Sequence, residues 1–184
     1  MDDRIGARAR RWHWSLMTDN RRIRRLSIYI AVVVAMLDQI TKHWALNKYN
    51  DGSFTDLVGS LRFKLTYNQG MAFSRGTGFG PIIGVLALII IVVMLLSLKR
   101  ADTRSTRIAA GLIIGGAAGN VLDRAFRGSA WMRGAVIDFI DLQWWPVFNV
   151  ADVAIVSGAI LMVLSLFKEK REPSAVQAEA KHVD

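Results

Sequence analysis

A chain of 184 residues with 52% hydrophobic content and positive mean hydropathy has the length of one domain and is too apolar for a soluble one. It contains no cysteine, which excludes a thiol nucleophile, a thiolate metal site and any disulfide framework, and its three histidines (His13, His43 and His182) are too scattered for a metal centre. The net charge of +9 would point to nucleic acid in a soluble protein, but its distribution along this chain is explained by a membrane.

Residues 1–25 form a basic head in which Arg is mixed with Trp (RARRWHWSLMTDNRRIRR). Two readings stand open: a segment lying on an anionic inner leaflet, or a solvated arm that enforces topology. The first apolar segment is Leu26–Leu46. Asp38 and Lys42 lie inside it at i, i+4, a spacing that lets them pair with each other in a structural role. The segment is not expected to be a cleaved signal peptide, because it is long, carries those charges and is followed by HWALNKYN without a small-residue pattern.

The loop 47–80 has its own organisation. Asn50-Asp51-Gly52-Ser53 is a turn signal, after which Leu61, Phe63, Leu65 and Tyr67 alternate with Arg62, Lys64, Thr66 and Asn68. This predicts a strand, hence a small extracytoplasmic β-sheet between the first and second spans, with Asn68, Gln69 and Gly70 at its end. Gly70, Gly76, Gly78, Gly80 and Pro81 interrupt any helix until the second span, residues 81–98, which contains no charge over 18 positions. Lys48 and Arg75 read as interfacial anchors.

Ile108–Leu122 is the third apolar segment. Gly111, Gly115 and Gly119 form a stripe that admits another helix closely, while Gly116, Asn120 and Asp123 share an adjoining face. The fourth segment, Val147–Phe167, begins after Pro146 and places Asn149 and Asp152 on one face of its first turns. The fold class is therefore an α-helical integral membrane protein with four transmembrane helices. Trp131, Trp144 and Trp145 read as an aromatic belt at the outer rim, with a role in holding lipid chains as the second reading. The tail 168–184 is charged and weakly apolar, which predicts disorder. Sixteen Lys and Arg fall in 1–25, 99–107 and 168–184, against seven in the two intervening loops. Both termini are then expected in the cytoplasm, with residues 26–167 as the membrane domain.

An ionised Asp or Arg at a helix centre costs roughly 2.5–3.5 kcal/mol on insertion scales, so several at the rims of consecutive apolar segments point to a working site. No Ser/Lys or Ser/His pairing accompanies them. Two adjacent carboxylates do not both ionise easily; one keeps a proton while the other acts as base toward a shared water. That chemistry hydrolyses a peptide bond without metal or covalent intermediate. Asp123, Asp138 and Asp152 are the candidates. Asp123 also reads as an ion-paired structural carboxylate, and Asp141 as solvated. Spacing alone leaves the Asp138–Asp152 pair open against alternatives that include Asp123 or Asp141. A proton-coupled transporter would use similar groups, but the acids cluster at one rim and no internal repeat is visible. A noncatalytic scaffold gives no reason for their convergence.

Five blocks in order resemble the bacterial lipoprotein signal peptidases (signal peptidase II), across roughly residues 26–167. They are LDQITK (Asp38, Lys42), NQGMAF (Asn68, Gly70, Ala72, Phe73), GGAAGNVLDR (Gly116, Asn120, Asp123, Arg124), VIDF (Asp138) and FNVAD (Asn149, Ala151, Asp152). The resemblance implies that Asp138 and Asp152 are an aspartic dyad, with Asn68, Gly70, Gly116, Asn120, Asp123, Arg124 and Asn149 lining or bracing the site. It implies a prolipoprotein substrate, cut just before a cysteine that bears diacylglycerol, in the bacterial inner membrane with the site at the outer face. Membrane lipids are the other expected partners. The expected enzyme is a monomer that uses no cofactor or metal and binds no nucleic acid. RAFRGSAWMRGAV, between Asp123 and Asp138, is several residues longer than the spacing usual in that family.

Overall fold

The residues described by the computed structural model (3–70, 79–98 and 103–180, with side chains over 25–70, 79–98 and 103–168) form long helices and short strands. The order is α1 (Asp3–Tyr49), β1 (Phe54–Val58), β2 (Leu61–Asn68), α2 (Gly80–Ser97), α3 (Arg104–Phe126), β3 (Val136–Asp141) and α4 (Val150–Ala180). Among the described residues three helices are long and apolar enough to cross a membrane: Arg25–Tyr49 of α1, Gly80–Ser97, and Val150–Lys168 of α4. They leave many large apolar side chains on the outside, as Ile82, Leu86, Ile89, Val92 and Leu96 do on α2. An apolar surface of that extent is what a lipid environment accommodates.

The segment expected as a further span lies in α3, which does not meet the same standard of length and apolarity. Gly, Ala, Asn120, Asp123 and Arg124 dilute its apolar character. It is instead the enclosed helix, packed by α1, α2 and α4. The glycine stripe explains how. A Cβ at Gly115 would meet the Ala31 carbonyl oxygen at 2.6 Å, and one at Gly111 the Ser27 carbonyl oxygen at 2.8 Å, so this stripe faces α1. Gly116 lies on the adjoining face against Ala151 and Ile155 of α4. It therefore sets the approach of α4.

The expected strand at 61–68 forms, and β1 pairs antiparallel with it. The sheet nevertheless extends beyond the loop between the first two spans. Its third strand, β3, comes from the connection between α3 and α4 and pairs antiparallel with β2. Trp44 near the end of α1 meets Phe63 edge-on at 5.2 Å and Phe139 at 6.0 Å, fastening β2 and β3 to that helix. Helix α4 continues to Ala180, into the tail for which composition predicted disorder.

Candidate active site

Strand periodicity positions the first carboxylate. Successive side chains of β3 point to opposite faces, so Phe139 packs into the aromatic cluster with Ala45 and Tyr49 while Asp138 faces the other way. Asp138 pairs in register with Thr66, which brings Asn68, two residues on along β2, to the same face. The Asn68 amide donates to Asp138 Oδ2 at 3.0 Å, and its own Oδ1 accepts from the Gly70 N–H at 3.1 Å.

Helix capping positions the second. Asp152 N–H donates to Asn149 Oδ1 at 3.0 Å, and Asn149 N–H donates to Asp152 Oδ2 at 3.1 Å. This reciprocal arrangement is a capping box built from an Asn and an Asp three apart. It fixes the Asp152 carboxylate beside the first turn of α4. The cap residue has a further use, because Asn149 Nδ2 donates to Asp138 Oδ1 at 2.6 Å and to Asn120 Oδ1 at 3.2 Å. Asn120 in turn donates from Nδ2 to Asp152 Oδ1 at 3.0 Å. Asp138 and Asp152, which are distant in sequence and lie on different elements, are thus joined through two amides.

Next to them lies an ionic cluster whose centre, Asp38, Lys42 and Asp123, is fully buried. Lys42 Nζ is 2.8 Å from Asp38 Oδ2 and 2.8 Å from Asp123 Oδ2, and it donates to Asn120 Oδ1 at 2.9 Å. Asp38 accepts from the Ala151 N–H at 3.0 Å, linking α1 to the start of α4. Asp123 also accepts from the Ile137 N–H at 3.2 Å, linking α3 to β3. The expected Asp38–Lys42 pair is present, but it forms part of a larger assembly that reaches the site. Asp123 is ion-paired as expected; its partners are Lys42 and Arg127 Nε at 2.6 Å. Two members of this cluster were missed in the sequence. Arg127 lies four residues after Asp123, a spacing that signalled the pair. Gln39 donates to Asp123 Oδ1 at 3.2 Å and to the Gly119 carbonyl at 3.1 Å, and nothing distinguished it beyond its place next to Asp38.

Asn68, Gly70, Asn120, Arg124, Asp138 and Asp152 line one cavity of about 380 Å³, whose remaining wall is apolar and includes Ile83 and Ile90 of α2. Arg124 Nη2 donates to the Gly70 carbonyl at 2.9 Å, while its buried Nη1 has no partner among the described residues. The Asp138 carboxyl is pushed up to about 7, first by burial and then by the negative charge of Asp152, against the opposing donors Asn68 and Asn149 and the Lys42 charge. A carboxyl of that kind holds its proton near neutrality and can act as an acid. Among the described residues no group of three or more His, Cys, Asp or Glu side chains is arranged to hold a metal.

Asp141 differs from the sequence expectation. It is buried, not solvated: Arg62 Nε lies 3.0 Å from its Oδ2 and the Gln143 N–H donates to Oδ1 at 2.7 Å. It points away from the cavity because it stands an odd number of positions from Asp138. Ala72, Phe73 and Arg75 lie outside the described residues. Lys48 stacks over Trp44 and Tyr49, at 5.6 Å and 5.4 Å from their ring centroids. Trp131, Trp144 and Trp145 are exposed, the last two edge-to-face at 6.2 Å.

The chain is similar to known proteins. Residues 30–168 match the family model described as signal peptidase (SPase) II. A lipoprotein signal peptidase of Mycolicibacterium smegmatis is 40% identical over 145 residues, covering 78% of this chain and 62% of that protein, so the chain spans less than two thirds of that relative. The Mycobacterium leprae lipoprotein signal peptidase is also 40% identical, with 78% and 72% covered. A bacterial membrane enzyme solved by the in meso method at 2.3 Å resolution superposes with a TM-score of 0.68 at 28% identity, covering 79% of this chain and 90% of that one. With the buried carboxylates, the capping asparagine and the enclosed α3 all inside the matched region, this chain belongs to the signal peptidase II family.

Proposed function

We propose that this protein is a membrane aspartic endopeptidase that removes the signal peptide from prolipoproteins by cutting before a diacylglyceryl-modified cysteine. The observation that carries the reading is the convergence of Asp138 and Asp152 on one cavity, bridged by Asn149 and Asn120. Asp152 takes a proton from a water as that water attacks the scissile carbonyl carbon. Asp138 gives its proton to the carbonyl oxygen, forming a neutral gem-diol. Collapse of the diol returns a proton to the leaving nitrogen and restores one proton to the pair. Arg124 lines the cavity and has a buried Nη1 without a partner among the described residues, which supports a role in holding a substrate carbonyl. The apolar wall from α2 suits a substrate that carries hydrocarbon.

In this reading α3 is the fourth membrane-spanning helix, its polar outer end shielded by the other three. The basic residues put both termini in the cytoplasm, with 1–25 as a basic head, 26–167 as the peptidase domain, 168–184 as the tail and the dyad at the outer face. The enzyme works as a monomer, and diacylglyceryl-bearing prolipoproteins and membrane lipids are its partners. Purified protein should cleave a peptide bearing a diacylglyceryl cysteine and leave the unlipidated control intact. Asp138→Asn and Asp152→Asn should each lose turnover while still inserting. General acid or base catalysis is worth about 10²–10⁴-fold, and because the two groups act as a unit the double variant should be little worse than either single one. Substantial turnover in either single variant rejects the dyad.

A further inference from the structure

We infer that Lys42 is a positioning residue: it fixes the orientation of the Asn120 side-chain amide so that an N–H faces Asp152 and holds that carboxylate as the anion. The inference rests on the aspartic reading above. An ammonium group has donors and no acceptor. The Asn120 atom that lies 2.9 Å from Lys42 Nζ is therefore its oxygen, and the atom 3.0 Å from Asp152 Oδ1 is its nitrogen. The Asn149 amide, donating to the same Asn120 oxygen, enforces the same orientation. The other Asp152 oxygen accepts from the Asn149 N–H at 3.1 Å. Both oxygens thus face N–H donors, and a carboxylic O–H on Asp152 would have no acceptor in that direction.

A Lys42 needed only for packing would be satisfied by Asp38 and Asp123. Its third contact goes to the site. Without the ammonium, the Asn149 amide alone holds Asn120 in that orientation, and an Asn120 that turns its oxygen toward Asp152 suits a protonated carboxyl and removes the base. The charged groups around Asp152 are Asp138 from β3, Asp38 and Lys42 from α1, and Asp123 and Arg124 from α3. Asp38 and Asp123 are both bound to Lys42, and Arg127 closes the far side of Asp123. Asp138 also accepts from two amides, those of Asn68 and Asn149, but its burial and the Asp152 charge outweigh them and push it up to about 7, so it is the group that keeps the shared proton.

The test uses full-length protein in micelles, with kcat/KM measured against pH on a peptide bearing diacylglyceryl cysteine. In parallel, the infrared carbonyl band of the protonated carboxyl is assigned with Asp138→Asn and Asp152→Asn. Lys42→Met combined with Asp38→Asn removes both members of the buried pair and leaves Arg127 as the ionic partner of Asp123. Its acidic limb should move up by about one pH unit or more, a tenfold change in the protonation equilibrium, and part of the protonated band should move to Asp152. Lys42→Arg, which keeps a donor-only cation, should preserve the wild-type limb. Asn120→Asp, which keeps an oxygen for Lys42 but loses the N–H, should shift the limb in the same direction as the double variant and serves if the latter does not fold. An unmoved acidic limb and an unmoved band in folded variants would overturn the inference and leave Lys42 a structural residue. Turnover that survives Asp138→Asn or Asp152→Asn would instead reject the dyad, and the infrared band still locates the proton in that case.

Discussion

The Asn149 amide donates to the Asp138 carboxylate at 2.6 Å while the same side chain caps the helix that carries Asp152. One residue thereby sets the position of both acids, and its two functions are separable. Asn149→Ser keeps a capping oxygen but is too short to supply the amide N–H. Asn149→Ala removes both, and loss of an N-cap costs about 0.5–2 kcal/mol. Thermal unfolding in detergent should rank wild type and the Ser variant close together with Ala below, while both variants lose activity by at least about tenfold, the order of one misplaced acid–base group. A fully active Ser variant would show that the amide bridge is dispensable.

The topology has a direct readout, because the native chain offers no cysteine background. Single cysteines at Ser53 and Ser129 should react with an impermeant thiol reagent in intact cells, whereas cysteines at Ser105 and Ser174 should react only after lysis. Reversed labelling would reject both the orientation and the placement of the dyad at the outer face.

Close helix contact supplies the next prediction. A Cβ at Gly115 would lie 2.6 Å from the Ala31 carbonyl oxygen and 2.8 Å from Val34 Cβ, and neither neighbour is the flexible end of a long side chain. Gly115→Ala should push α1 from α3 and shift Lys42 relative to Asn120. Overpacking of this kind typically costs 1–3 kcal/mol. Gly59→Ala, where no atom lies within 4 Å but φ is +57°, should be destabilised through backbone conformation alone and keep its activity. Equal activity in the two variants, measured per folded molecule, would contradict the argument.

Much of this site was readable from residue spacing. Asn149 and Asp152 at i, i+3, Gly116, Asn120 and Asp123 on one helix face, and the glycine stripe each follow from helical periodicity, and the strand at 61–68 follows from alternation. The pairing of Asp138 with Asp152 was not decided by spacing, because it depends on β3 joining β2. That long-range register puts Asp138 opposite Thr66 and Asn68 within reach. The same register explains why Asp141 turns to Arg62 on another face. Gln39 and Arg127 were overlooked because their importance lies in contacts across helices. The enclosure of α3 was hidden for a related reason: a helix surrounded by others tolerates Gly, Ala and polar groups that a lipid-facing helix does not.

The last prediction concerns the stability cost of Asp138. Its carboxyl titrates at about 7 in the fold, whereas an aspartate in an unfolded chain titrates near 3.9. Below about pH 4 both states are protonated and the group is neutral in either. Between about pH 4 and 7 the unfolded chain gives up a proton that the folded protein retains, so stability falls as pH rises, and above about 7 the penalty is complete. Transmitted whole, a shift of that size amounts to about 4 kcal/mol. Asp138→Asn removes the charge but turns its own N–H toward either the Asn68 or the Asn149 donor, and an unsatisfied buried group costs about 1–3 kcal/mol. The inactive variant should therefore unfold at a higher temperature than wild type at pH 8, by an amount equivalent to about 1–3 kcal/mol, with the advantage gone or reversed at pH 4. The measurement is the difference in unfolding temperature between the two proteins across that pH range in an uncharged detergent. A difference that stays flat with pH would mean that Asp138 ionises as easily in the fold as in the unfolded chain, and it could not then be the proton-holding member of the pair.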